Sequence, residues 1–87
     1  MLESTTTIRN RTGLHARPAA ELVRAASSFA SDVILMHDGM ATNAKNPLAV
    51  LSANVRPGAE VTVRTEGGDE EEAMAAVMAC LRNLPNE

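Results

Sequence analysis

Pro18 fixes the point at which the first helix of this chain can begin. Proline holds φ near its helical value and lacks a backbone N–H, so a helix accepts it without cost only in the first turn. Gly13 marks a loop just before it. The pattern therefore predicts a helix over residues 16–28. Its apolar side chains follow at helical spacing, at Ala19, Leu22, Val23 and Ala26.

Runs of β-branched residues predict the strands. Residues 2–8 contain three threonines and an isoleucine, and residues 32–37 contain valine and isoleucine. An Asp-Gly pair then signals a hairpin turn, so residues 40–43 are predicted to form the returning strand. Residues 60–65 alternate and predict a further strand. One face of that strand would carry Val61, Val63 and Thr65.

Two further helices are indicated by their boundaries. Asn46 is a good helix cap and is followed by a proline, which predicts a short helix over residues 47–53. Asp69, with a glutamate three residues later, indicates a capping box at the start of the last helix, and Pro85 ends that helix. We therefore predict one α+β domain over residues 1–87, a two-layer sandwich in which helices cover one face of a four-stranded sheet.

Composition excludes several classes of function. Phe29 is the only aromatic side chain among 87 residues, so stacking of nucleic-acid bases, and with it a nucleic-acid partner, is not expected. The net charge of −3 also argues against a general binder of polyanions. Cys80 is the only cysteine, which excludes an internal disulfide and gives no zinc-ligand spacing. We expect it to be a buried or half-buried filler in the last helix.

No membrane or export segment is expected. The chain start lacks the basic patch and apolar run of a signal peptide, and no apolar stretch approaches the ~20 residues needed to span a bilayer. We therefore expect a cytoplasmic protein without membrane insertion. No pattern of residues indicates a metal or an organic cofactor.

His15 is the candidate reactive group. It precedes the predicted start of the first helix, where unpaired amides and the helix dipole favour an anion. Arg17 adds a permanent positive charge two residues away. An imidazole can attack a phosphoryl group and hold it through an N–P bond, while the guanidinium and the amides stabilise its negative charge. The pattern favours an exposed phosphohistidine site over the alternative of a capping or surface histidine.

Four segments carry a resemblance to a known family: Gly-Leu-His-Ala-Arg-Pro-Ala at 13–19, Asn-Ala-Lys at 43–45, Ala-Val-Leu at 49–51 and Gly-Ala-Glu-Val-Thr-Val at 58–63. On these segments the chain resembles HPr, the family of histidine phosphocarriers of the bacterial phosphoenolpyruvate-dependent sugar phosphotransferase system. The resemblance implies an open-faced sandwich with an antiparallel sheet. It also implies that Enzyme I phosphorylates Nδ1 of His15, that IIA domains of sugar transporters accept the phosphoryl group, and that Arg17 pairs with it.

The resemblance further implies a docking surface for Enzyme I and IIA domains. Leu48 and Leu51 lie three residues apart and share a helix face, which is either exposed for docking or part of the core. Val50 is expected to face the core. The other expected contact residues are Ala16, Ala20, Arg24 and Pro47.

Asn46 departs from the family pattern. In HPr of many Gram-positive bacteria, this position is a serine that HPr kinase phosphorylates. Asparagine has no hydroxyl to phosphorylate, so we expect no regulation by serine phosphorylation at this position, although Asn46 can still cap the helix.

Two alternative functions remain open. An NPr-type carrier of the nitrogen-related phosphotransferase branch would use the same chemistry, and the sequence does not separate it from a sugar-branch carrier. A regulatory HPr-like binding domain without phosphotransfer is disfavoured because both His15 and Arg17 are present. We do not expect an enzyme, since a carrier is a substrate of its partner enzymes, and we expect a monomer.

Overall fold

The computed structural model describes residues 1–86 and places three helices against four strands. The strands are β1 (Leu2–Thr7), β2 (Asp32–His37), β3 (Met40–Asn43) and β4 (Glu60–Glu66). The helices are α1 (Arg17–Ser27), α2 (Pro47–Ser52) and α3 (Glu70–Arg82). The predicted order and type of the elements are confirmed, and the strand and helix bounds given above differ by at most one residue at each end.

The strands form one sheet in the order β1-β4-β2-β3, and every neighbouring pair is antiparallel. Side chains along a strand point alternately to the two faces of a sheet. In β4 the face predicted to be apolar is buried, with Val61, Val63 and Thr65 at most 1% exposed. Thr62 and Arg64 lie on the opposite face.

The helices pack on the buried face of this sheet. α3 contacts β1 and β4, α1 contacts α3 and α2, and α2 contacts β3. Leu22 and Ala26 of α1 are fully buried, as the helical spacing of its apolar residues predicts. The core is aliphatic, and its largest fully buried apolar side chains are Ile8, Leu14, Leu22, Leu35, Val33, Val50, Val61, Val63 and Val77.

Polar cross-strand pairs occupy the face that no helix covers. The Thr5 and Thr62 hydroxyls are 2.9 Å apart across the β1–β4 pair. Two residues further along the same strand pair, and on the same face, Arg64 donates from Nε to Glu3 Oε2 at 2.8 Å. Such cross-strand pairs stabilise the sheet on the face against which no helix packs. The fold is therefore an open-faced α+β sandwich. None of the described helices is long and apolar enough to span a bilayer.

The capping box predicted at the start of α3 is wrong. Asp69 does precede α3, but its side chain makes no hydrogen bond to the first turn of that helix. Its carboxylate instead accepts hydrogen bonds from the Ala30 and Ser31 backbone N–H groups, at 3.0 and 2.8 Å, and from the Ser31 hydroxyl. The sequence could not show this because the donors lie in the connection between α1 and β2, far away along the chain.

The connection between α2 and β4 supports the loop that carries His15. Ile8 donates its N–H to the Ala59 carbonyl at 2.8 Å, and Gly58 donates back to the Ile8 carbonyl at 2.7 Å. Leu14 donates to the Val55 carbonyl at 2.9 Å. These backbone bonds hold two irregular segments side by side at the N-terminal end of α1.

Candidate functional site

His15 lies on the surface between two anchored neighbours. Leu14, just before it, is 1% exposed and is bound through its N–H to the Val55 carbonyl. Pro18 and Ala19, three and four residues after it, are buried in the first turn of α1. His15 itself is exposed. Its backbone is therefore fixed on both sides while its imidazole remains open to a partner protein.

Gly13 allows the loop to pass close to its neighbour. Its φ is +68°, a conformation that glycine adopts without steric cost. A Cβ atom at this position would overlap the Val55 carbonyl oxygen. Only a residue without a side chain lets the loop lie this close to the segment after α2. The predicted loop glycine is thus required by both its dihedral angle and its surroundings.

Ala16 carries backbone strain at the entrance to α1. It has φ 50° and ψ −124°, although it is not a glycine. Residues held in such sparsely populated regions cost of the order of 1–3 kcal/mol each and concentrate at functional sites. Ala16 also accepts the Ala20 N–H at 3.2 Å, which is the first backbone bond of the helix. The strained residue therefore connects His15 directly to α1.

The start of α1 is electrostatically suited to an anion. Among the described residues no side chain caps its first turn, and that turn holds no acidic residue. Arg17 is the first residue of the helix and is exposed. The N–H groups of a first turn have no partner within the helix, and they present positive charge together with the dipole. His15 and Arg17 therefore flank Ala16 at the start of α1, next to these first-turn N–H groups.

Arg24 does not present an unpaired charge. Its Nη2 lies 2.6 Å from Glu21 Oε2, in a pair three residues apart on the exposed side of α1. Arg24, one of the expected contact residues, is therefore already paired with a carboxylate on its own helix. Ala16 and Ala20, the small residues expected near a partner, are both exposed.

α2 exposes the predicted apolar pair. Leu48 is 75% exposed and Leu51 is 40% exposed, while Val50 on the other side of the helix is fully buried. Pro47 is also exposed. Since α2 contacts α1, these side chains lie on the helix next to the one that begins beside His15. Of the two interpretations left open by the sequence, the structure therefore favours exposure over burial in the core.

Asn46 caps α2 as predicted. Its Oδ1 accepts the N–H groups of Leu48 and Ala49 at 3.1 and 3.2 Å. Lys45, one residue earlier, donates from Nζ to the Phe29 carbonyl at 2.8 Å and so ties α2 to the end of α1. The short helix is thereby held in place at its N-terminal end.

A groove of about 510 Å³ lies between α1 and the end of α3, not around His15. Arg17 and Arg24 line one side of it, and Cys80 and Leu84 line the other. Burial raises the pKa of the Cys80 thiol, which disfavours the reactive thiolate. Cys80 is half-buried, as expected of a filler. The described residues contain no His, Cys, Asp and Glu cluster that could hold a metal ion.

Asn10 is a residue of the site that the sequence did not single out. Its side chain donates to the Gly13 carbonyl inside the loop and to the Pro85 carbonyl beyond α3, both at 3.0 Å. The bond to Gly13 could have been predicted, because an asparagine side chain often bonds to backbone groups a few residues away. The partner at Pro85 could not be read from the sequence.

Comparisons with known proteins identify the family of this chain. Residues 2–83 match the family described as PTS HPr component phosphorylation site. The phosphocarrier protein HPr of Cupriavidus necator is 41% identical over 83 residues, covering 95% of this chain and 93% of the relative. The HPr-like protein Crh of Bacillus subtilis is 43% identical over 79 residues, covering 91% and 93%.

Solved structures give the same result. HPr-C-His from Thermoanaerobacter tengcongensis superposes with a TM-score of 0.92 at 43% identity, covering 94% of this chain and 92% of that one. An HPr dimer from the same organism gives 0.75 at 43% identity, covering 94% of each chain. Bacillus subtilis Crh, described with a swapped domain in a dimer, gives 0.75 at 41% identity and covers 94% of each. By sequence over nearly its whole length and by fold, this chain belongs to the HPr family of the phosphotransferase system.

Proposed function

We propose that this protein is a phosphocarrier that accepts a phosphoryl group from phospho-Enzyme I on Nδ1 of His15 and passes it to IIA domains of sugar transporters. The observation that carries the proposal is the exposed imidazole of His15 at the uncapped start of α1, beside Arg17. The family match over residues 2–83 supports the same reading.

The proposed step is a displacement at phosphorus. The lone pair of Nδ1 attacks the phosphoryl group, an N–P bond forms, and the bond to the donor breaks with its electron pair leaving on the donor. The proton of the neutral ring remains on Nε2. Arg17 and the first-turn amides of α1 would stabilise the three phosphoryl oxygens. Transfer to the acceptor reverses these changes, so His15 is regenerated and the protein acts as a substrate of its partners.

An open site serves this role better than a pocket, because donor and acceptor proteins must reach the same imidazole in turn. The exposed residues Leu48 and Leu51 of α2 would provide the apolar part of the docking surface, with Ala16 and Ala20 allowing close approach. We propose that this occurs in the cytoplasm. A monomeric carrier remains a prediction, because dimers are known for an HPr and for Crh among its structural relatives.

A regulatory binding domain is the second candidate function. It is favoured by the similarity to Crh, which the solution structure from Bacillus subtilis describes as the catabolite repression HPr. The presence of both His15 and Arg17 favours the carrier. A carrier of the nitrogen-related branch would show the same chemistry, and only its acceptor would differ.

The two histidines of the chain provide a matched test. We expect His15→Ala to abolish phosphoryl uptake from phosphoenolpyruvate and Enzyme I, and His37→Ala at the end of β2 to leave it intact, as read by intact mass. Both variants should fold, because neither imidazole is part of the buried core. Uptake by His15→Ala equal to that of the unsubstituted protein would exclude the proposed site. If neither the unsubstituted protein nor His15→Ala takes up a phosphoryl group, the regulatory domain is favoured.

A further inference from the structure

Asn10 makes contacts that reach both the site loop and the end of the chain. It is only 6% exposed, and its Nδ2 lies 3.0 Å from the Gly13 carbonyl and 3.0 Å from the Pro85 carbonyl. A longer contact of 3.4 Å joins the same atom to Thr12 Oγ1. A primary amide has two N–H donors, so both of them are used by two carbonyl oxygens. The two acceptors also fix which end of the amide faces the loop.

The peptide group between Gly13 and Leu14 is thereby held from both sides. Its carbonyl accepts from Asn10 Nδ2, and its N–H donates to the Val55 carbonyl at 2.9 Å. His15 follows one residue later. A peptide plane fixed at both its oxygen and its nitrogen leaves little freedom for the backbone that leads into His15.

The segment after α3 takes part in this arrangement. Pro85 supplies one of the two acceptors for Asn10, and Arg11 donates its backbone N–H to Asn86 Oδ1 at 3.0 Å. The loop before His15 is therefore tied to the residues beyond the last helix through Asn10 and through its neighbour. In contrast, Asn10 Oδ1 is buried and accepts no hydrogen bond from residues 1–86. The hydrogen bonds of this amide to protein are therefore made by its donor side.

We propose that Asn10 is a positioning residue that holds the imidazole of His15 in the orientation required for phosphoryl transfer. The inference rests on the proposed carrier function. Asn10 acts through Gly13 and does not touch the phosphoryl group, so its loss should slow the chemical step without weakening the docking of partners, whose proposed surface lies on α2.

The kinetic test separates positioning from stability. With the protein as substrate of phospho-Enzyme I, Asn10→Ala should lower kcat about tenfold, the effect of one lost positioning hydrogen bond, and leave KM within about twofold. A variant that is merely less stable would instead raise apparent KM, because fewer molecules are folded. Ser31→Ala is the matched control, since it removes a part-buried hydrogen bond beyond the opposite end of α1. It should leave kcat unchanged.

Asn10→Asp distinguishes donation from packing. Aspartate has the same size as asparagine, but its carboxylate cannot donate hydrogen bonds to the Gly13 and Pro85 carbonyls. We expect kcat to fall at least as far as in Asn10→Ala. Normal kcat in both folded variants, while the unsubstituted protein is phosphorylated, would overturn the inference and leave the carrier function standing. Absence of phosphorylation in the unsubstituted protein would overturn both.

A measurement on the unsubstituted protein covers the case in which the variants do not fold. Scalar couplings across hydrogen bonds, measured by NMR, should join the Asn10 side-chain nitrogen to the carbonyl carbons of Gly13 and Pro85. Both couplings are expected in the unphosphorylated protein, and the Gly13 coupling should persist after phosphorylation. Absence of the Gly13 coupling in either state would contradict the proposed role.

Discussion

At the scale of single residues, buried and hydrogen-bonded neighbours hold the backbone on both sides of His15. Gly13 and Pro18 could be recognised from the sequence, because each has a backbone requirement that local chemistry reveals. The strain at Ala16 and the contact of Asn10 with Pro85 could not. Those features depend on where distant parts of the chain meet, which neither composition nor spacing records.

Gly13 provides a prediction about stability. Gly13→Ala should lower the free energy of unfolding more than Gly39→Ala does, because both have positive φ but only Gly13 has a backbone oxygen within 4 Å of the added Cβ. The left-handed conformation costs about 1–2 kcal/mol for a residue with a Cβ. Gly39→Ala should show that cost alone. Urea denaturation measures the difference, and equal losses in the two variants would show that the loop moves freely away from Val55.

Arg17 provides a prediction about rate. Arg17→Ala should slow phosphoryl transfer in both directions, because a charge-assisted hydrogen bond to a phosphoryl oxygen contributes about 1.5–3 kcal/mol. Arg17→Lys keeps the charge but not the planar fork of donors, so it should recover only part of the rate. Single-turnover transfer to and from the partners measures this. Unchanged rates in Arg17→Ala would mean that the amides of α1 suffice.

At the scale of elements, α2 shows how far a helix can be predicted. Its start follows from Asn46 and the proline after it, and the structure confirms the cap. The exposure of Leu48 and Leu51 could not be predicted, because two leucines three residues apart share a helix face that fits a core or a docking surface equally well. Only the packing of Val50 against the core settles which side of the helix faces out.

Leu48 provides a prediction about docking. Leu48→Ala should raise KM for phosphorylation by Enzyme I about tenfold and leave kcat nearly unchanged, as truncation of an apolar interface residue costs upward of 1 kcal/mol. Met40→Ala is the control, because Met40 is a similarly exposed apolar residue, at 67% against 75%. It lies in β3, the edge strand of the sheet. An equal rise in KM in both variants, or in neither, would argue against α2 as the docking element.

At the scale of the whole molecule, Asp69 joins the start of α3 to the end of α1. The sequence predicted a local capping role because aspartate before a helix usually has one. The observed role is tertiary, since the carboxylate bonds the α1–β2 connection instead. The arrangement of strands and helices was nevertheless predictable, because the order of elements allows few compact two-layer folds.

Asp69 provides a prediction about pH. Hydrogen bonds from the Ser31 side chain and from the Ala30 and Ser31 backbone lower the pKa of Asp69. Because the folded pKa lies below the unfolded value of about 3.9, this stabilisation is present above that value and is lost as pH falls through the folded pKa. The stability difference between the unsubstituted protein and Asp69→Asn should therefore shrink in acid. Thermal unfolding from pH 6 downward, at roughly half-unit steps, measures it. A difference that does not depend on pH would contradict the assignment.

One experiment tests directly whether His15 carries a phosphoryl group on Nδ1. The most direct measurement is to incubate the protein with phosphoenolpyruvate, magnesium and the Enzyme I of its own organism, and to record intact mass and ³¹P–¹H NMR spectra. We predict a gain of one phosphoryl group that is labile in acid and stable in base, with its phosphorus coupled to the His15 ring through Nδ1. No gain in mass, or phosphate found on any other atom, would contradict the account.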